Sequence, residues 1–157
     1  MSDTSYPLDD LDRRILTALQ VDASSTNAQL AALVHVSPPT CLRRVKLLTD
    51  SGVIAAQVVI VAPQKIDARL TAIVEIALDV QAAERMDAFE QLVAAEDAVL
   101  QCYRVAPGPD FVLVVQVADM PAYHALAHRL FTAHANVRNV KAYFSTFRSK
   151  FETRIAV

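Results

Sequence analysis

Apolar positions recur with a helical period through the first third of the chain, and from residue 70 stretches of strand pattern intervene between helical ones. Leu11, Ile15, Ala18 and Leu19 share one helical face, so the spacing predicts a helix from Asp9 to about Val21. Asp9 suits the N-cap, and Asp10 and Asp12 complement the positive end of the helix. After a polar break over Asp22 to Ser25, a second helix starts near Thr26 and stops near His35, with Leu30, Leu33 and Val34 expected inward. Ser37 opens a third helix, with Pro38 and Pro39 in the first turn, where a missing N–H costs nothing. Cys41, Val45 and Leu48 form its inner face, and Gly52 supplies the free backbone that ends it. Val53 to Val61 is nearly all apolar or β-branched and reads as one or two short strands.

Pro63 to Arg69 combines a strand-stopping proline with a polar run and marks a boundary between domains over 1–62 and 63–157. Beyond it, Leu70 to Val80 alternates as a strand, with Ala72, Val74, Ile76 and Leu78 on one face. Ala83 to Ala95 has helical spacing through Met86, Phe89, Leu92 and Val93. Strands follow over Val99–Val105 and Phe111–Val117, then a helix over Pro121–His134 with Leu126, Leu130 and Phe131 inward, then a long strand from Val137 to about Phe151. The order β-α-β-β-α-β is that of a ferredoxin-like domain, a four-stranded antiparallel sheet with both helices on one face. The strands are too apolar for a bare second face, which predicts dimerisation through this module.

Composition narrows the function. Hydrophobic residues make up 54% of the 157, above the usual ~45–50%, which points to packed elements and a buried subunit interface. The net charge of -2 gives no global basic signal, so any nucleic-acid contact needs a local cluster. Cys41 and Cys102 lie far apart with no metal spacing, which makes a reducing cytoplasm the expectation. The acidic start lacks a basic, apolar leader pattern, and no apolar run reaches the ~18 residues of a membrane span.

The candidate chemistry lies in the second and third helices. Two helices joined by a short turn, the second cationic, can lay that second helix in the major groove. Opposite its inner face stand Pro39, Arg43 and Lys46, with Thr40 and Leu47 on the flanks and Ser37 at the cap. Arg43 has the fork that matches guanine, Thr40 can donate to phosphate or base, and Arg13, Arg14 and Arg44 can position the unit on the backbone. A solvated helix face is the plain alternative for Arg43, Arg44 and Lys46. His124 and His128 have the spacing of a metal pair but lack further ligands, so no metal site is expected. No nucleophile–base order, phosphate loop or carboxylate pair stands out, which argues against an enzyme.

The whole of Leu8 to Phe151 resembles the Lrp/AsnC family of bacterial and archaeal transcription regulators. The matching residues include Leu8-Asp9, Asp12, Ile15-Leu16, Leu30-Ala31, Ser37-Pro38, Cys41-Leu42, Arg44-Val45, Leu48 and Gly52-Val53-Ile54. The expected fold is therefore α+β: an N-terminal winged helix-turn-helix and a C-terminal ferredoxin-like βαββαβ domain. The resemblance implies double-stranded DNA as partner and a homodimer assembling to a tetramer or octamer. It also implies an amino-acid effector, no other cofactor, near the turn between the second and third sensing strands. Tyr103, Arg104, Gly108 and Asp110 are the effector residues it suggests. Two departures stand out. His35 occupies the turn where the family has Gly, and tolerates a left-handed backbone at some cost. Pro107 and Pro109 remove two N–H groups from the turn that would hold a ligand carboxylate. Two other functions stay open: a metabolite-binding module whose helices contact a protein, and an architectural DNA-wrapping oligomer with little response to ligand.

Overall fold

The computed structural model describes residues 6–62, 65 and 70–157. Its first unit is built on three helices, α1 (Asp10–Val21), α2 (Asn27–Leu33) and α3 (Pro38–Asp50). Each of the first two opens with a reciprocal capping box. The Asp9 carboxylate accepts from the Asp12 N–H at 2.8 Å, and the Asp12 carboxylate accepts from the Asp9 N–H at 3.3 Å. Thr26 and Gln29 repeat the arrangement at the start of α2. Gly52, with φ +77°, ends α3 as its position predicted. Ile15, Leu16, Leu30, Ala31, Val34, Cys41 and Leu48 form the buried core of this unit.

Two expectations for this unit are corrected. Leu33, expected inward, is 64% exposed. A helix of 7 residues buries only a narrow stripe, here through Leu30 and Val34 one turn apart, and Leu33 lies about 100° round the axis from Val34. The strand expected over Val53–Val61 is not formed. Val53 and Ile54 pack on the helical core, but residues 55–62 have no strand partner, and Val59 is 89% exposed. A strand needs a neighbour to satisfy its ladder, and none is offered within the described residues. The helix-turn-helix thus has no wing among them.

The boundary expected over Pro63–Arg69 falls mostly on residues outside those described. The compact units are Met1–Ile60 with Lys150–Val157, and Val61–Ser149. The tail joins the helical unit through Gln20, whose side-chain amide donates to the Ile155 carbonyl at 3.1 Å and accepts from the Ile155 N–H at 2.8 Å.

The second unit is the ferredoxin-like sheet. Its elements are β1 (Leu70–Leu78), α4 (Ala83–Ala94), β2 (Val99–Arg104), β3 (Phe111–Val117), α5 (Met120–Ala127) and β4 (Val137–Phe144). The order is β2-β3-β1-β4, antiparallel throughout. Alternation carries Ala72, Val74, Ile76 and Leu78 of β1 and Phe111, Leu113, Val115 and Val117 of β3 to the helix side, against Phe89, Val93, Leu126, Leu130 and Phe131. The last expected helix is broken: α5 gives way to a wider π-type turn over His128–Thr132 that still buries Leu130 and Phe131. β4 stops at Phe144, short of the expected Phe151: Phe144 pairs with Ala72 near the start of β1, and one further bond, from the Ser145 N–H to the Thr71 carbonyl at 2.9 Å, follows it. Among the described residues of this unit, no helix packs on the opposite sheet face. There the register sets Ile73 between Val114 and Tyr143, Glu75 between Val112 and Lys141, and Tyr103 beside Val112.

Candidate nucleic-acid interface and effector turn

The orientation of α3 is fixed by an ion-pair clamp to α1. Arg44 Nη1 lies 2.7 Å from an Asp9 oxygen and 3.2 Å from Asp12, which has no solvent exposure. The Asp12 backbone N–H, and after it the Arg44 guanidinium, hold the Asp9 carboxyl below its ordinary range. Burial works against the charge on Arg44, but Asp12 and then Asp9 outweigh it and raise its pKa above the usual arginine value. With Arg44, Cys41 and Leu48 turned inward, the opposite side of α3 presents Pro39, Arg43 and Lys46 exposed and Thr40 half-buried. The Cys41 thiol is pushed up by burial and fills the core as a small apolar residue.

The sequence-derived DNA set is therefore divided. Pro39, Thr40, Arg43 and Lys46 form one surface stripe, while Arg44 is committed within the unit. Arg13 and Arg14 are exposed on α1. Ser37 is the N-cap residue by backbone geometry, but its hydroxyl does not cap the helix; it lies 2.9 Å from the Thr40 hydroxyl. Pro38 and Pro39 leave the Thr40 N–H as the first-turn donor such a cap could take, and the Ser37 hydroxyl meets the Thr40 hydroxyl instead. Leu42, which sequence reasoning did not place on this surface, is 59% exposed beside Arg43. The signal was its place three residues after Pro39, on the outward stripe.

The turn before α3 keeps its geometry despite lacking glycine. The Val36 N–H donates to the Ala31 carbonyl at 3.0 Å and the His35 N–H to Ala32 at 3.3 Å, the paired bonds of a Schellman ending. That ending requires a left-handed residue, and His35 adopts φ +57°.

In the second unit the predicted effector residues are brought near one end of β2 and β3, and most are already engaged. Asp110 is buried: its N–H donates to the Ile76 carbonyl at 2.8 Å, and its carboxylate accepts from the Leu78 N–H at 2.6 Å. It ties the β3 start to the irregular end of β1. Arg104 donates to Asp87 at 2.7 Å and Glu90 at 2.8 Å on α4, which hold its pKa above the ordinary value. Tyr103, on the uncovered face, donates to Gln101 at 3.0 Å. Gly108 is exposed with φ +127°. Across Val105–Asp110 the Val105 N–H is bonded to the Asp110 carbonyl at 3.0 Å, so the backbone donors left are those of Ala106 and Gly108. His124 and His128 are exposed, and no group of three His, Cys, Asp or Glu side chains suited to a metal occurs among the described residues. No helix among them is long and apolar enough to cross a membrane.

Comparison with known proteins covers both units. Residues 8–49 match the AsnC-type helix-turn-helix domain, and residues 71–155 match the Lrp/AsnC ligand binding domain. An uncharacterised helix-turn-helix-type transcriptional regulator of Haemophilus influenzae is 38% identical over 137 residues, spanning 87% of this chain and 82% of its own length. The crystal structure of an AsnC family transcriptional regulator from Agrobacterium tumefaciens superposes with a TM-score of 0.87 at 31% identity, covering 94% of this chain and 96% of the other. A transcriptional regulator from Neisseria meningitidis, solved in complex with L-Met, also gives a TM-score of 0.87, at 27% identity over 95% of this chain and 96% of its own.

Proposed function

The chain belongs to the Lrp/AsnC family of DNA-binding transcription regulators with a ligand-binding domain, and on that footing we propose that it is a sequence-specific regulator whose α3 reads duplex DNA. It is a regulator and not an enzyme. The carrying observation is the exposed stripe of Pro39, Thr40, Arg43 and Lys46 on a helix locked in rotation by the Arg44 clamp. In this reading Arg43 forks onto a guanine edge, Lys46 and the Ser37–Thr40 hydroxyl pair meet phosphates, and Leu42 packs on thymine methyl groups. Arg13 and Arg14 add backbone contacts. Arg44 acts as a positioning residue for the helix.

The second unit, in this proposal, serves assembly and sensing. Two copies pair through the uncovered sheet face around Ile73 and Tyr143, and pairs associate further into tetramers or octamers. The effector is an amino acid or a related metabolite, and the targets are genes of amino-acid metabolism. The match to a ligand-binding domain and the L-Met held by the Neisseria regulator support the effector class. With Pro107 and Pro109 in the turn, the carboxylate of such a ligand falls to the Ala106 and Gly108 N–H groups, so specificity differs from that of a glycine-rich turn. A ligand that binds one assembly state better shifts the pairing of reading helices, and so the DNA affinity, by linkage. The donor-poor turn also favours a second reading, a DNA-wrapping oligomer with little response to ligand.

The test is binding of the wild type and the Arg43→Ala/Lys46→Ala variant to a duplex carrying the promoter region of the protein's own gene. The proposal expects the variant to lose at least tenfold in affinity, about 1.4 kcal/mol, with its oligomeric state intact. Unchanged affinity would return the stripe to a solvated helix face.

A further inference from the structure

We propose that His35 is a DNA-contacting residue whose imidazole donates to a backbone phosphate of duplex bound along α3. The inference rests on the DNA-reading role of α3 and adds a residue to it that the stripe does not contain. Three observations lead there.

The first is backbone conformation. The Schellman bonds from Val36 to Ala31 and from His35 to Ala32 force residue 35 into the left-handed region, at φ +57°. Glycine adopts that region without penalty, whereas a residue with a Cβ is strained in it. His35 is the one non-glycine residue with positive φ among those described.

The second is that no contact of the side chain offsets the strain; only the two backbone bonds hold the residue there. The His35 side chain is exposed, and it has no hydrogen bond, ion pair or ring contact among the described residues. It neither packs in the core nor caps a helix. A strained residue with no internal partner is a candidate for an external one.

The third is a shortage of donors where α3 begins. A helix start ordinarily offers several free N–H groups. Here Pro38 and Pro39 have none, and the Cys41 N–H is bonded to the Ser37 carbonyl at 3.0 Å. The Ser37 and Thr40 hydroxyls lie 2.9 Å apart, and Asn27 spends a side-chain N–H on the Pro38 carbonyl at 2.9 Å. The Ser37 and Thr40 N–H groups are the backbone donors that remain there. His35, two residues before the cap, is the next exposed side-chain donor along the chain. An imidazole carries an N–H in both its neutral and charged forms, so it can donate to phosphate in either.

Glycine separates a DNA contact from a structural role, because the two predict opposite signs. A phosphate contact is independent of sequence, so the probe is a mixed-sequence duplex of about 30 base pairs at about 50 mM salt. Full-length His35→Gly should melt a few degrees higher than the wild type and bind this duplex roughly three- to tenfold more weakly. His35→Asn, which tolerates the left-handed backbone and keeps an N–H donor, should stay within about twofold of wild-type affinity. His35→Gly binding as tightly as the wild type would overturn the inference, as would a melting temperature that falls together with affinity. A wild type that does not bind the duplex would instead remove the DNA-reading role itself, and the inference with it.

Discussion

Asp12 is the residue on which the geometry of the reading helix turns. It lies in the interior of the first unit, closes the cap of α1 through the Asp9 N–H and receives Arg44 from α3 at 3.2 Å. Removing one partner of a buried pair leaves the other charge uncompensated. Asp12→Ala is therefore expected to cost on the order of 3 kcal/mol in urea unfolding and to weaken DNA binding by letting α3 rotate. Asp9 provides a pH signature. Its carboxyl is depressed in the folded state from the ordinary 3.8. A depressed acid stabilises the fold fully above its unfolded pKa, and that contribution is lost as pH falls through the folded value. The urea midpoints of wild type and Asp9→Asn should thus differ at about pH 6, begin to converge only below about pH 4, and meet once the pH is below the depressed folded value. At this scale the sequence was informative about residue type and less about commitment. Arg43 and Arg44 are neighbours of equal chemistry, and only the burial of Asp12, 32 positions away, decides that Arg44 turns inward.

Elements bounded by local chemistry were legible, and those bounded by distant partners were not. The Asp9 and Thr26 caps, the proline pair and Gly52 set the ends of α1, α2 and α3 within a residue or two. The alternation of β1 likewise matched its burial, whereas β3 reads as a continuous apolar run and its alternating burial came only with the structure. Strand length in β4 depends instead on where β1 begins, and Val53–Val61 lacks a partner, so β-propensity alone overstated both. The Gln20–Ile155 clasp joins positions 135 apart and left no trace in the local pattern. It gives a prediction of its own. Gln20→Ala should raise hydrogen exchange at the Ile155 amide at least tenfold, while shifting overall stability by no more than about 0.5 kcal/mol. Unchanged exchange would mean that the tail is held by other contacts.

For the molecule as a whole, the uncovered sheet face and the effector turn carry the expectations. A charge placed at Ile73, which is 44% exposed between Val114 and Tyr143, would have to be desolvated in a paired sheet. Ile73→Lys should shift the assembly toward monomer in light scattering, with the βαββαβ fold retained by circular dichroism. Among the twenty amino acids, a true effector should raise thermal stability in proportion to RT ln(1 + [L]/Kd), about 2.7 kcal/mol at a hundredfold excess. Silence across all twenty would favour the ligand-independent oligomer. The helix-turn-helix half was legible because its motifs are local runs, Ser37-Pro38 among them, and the second domain because its strands and helices follow the order βαββαβ. The engagement of Asp110 and Arg104 was not, because their partners lie on β1 and α4. The most direct test of the central claim, that α3 reads DNA through its exposed cations, is the salt dependence of wild-type affinity for the promoter duplex. Each phosphate neutralised contributes about 0.9 to the slope of log K against log salt. Several contacts per bound dimer predict at least a tenfold loss of affinity between about 50 and 200 mM salt. An affinity that stays flat across that range would contradict the account.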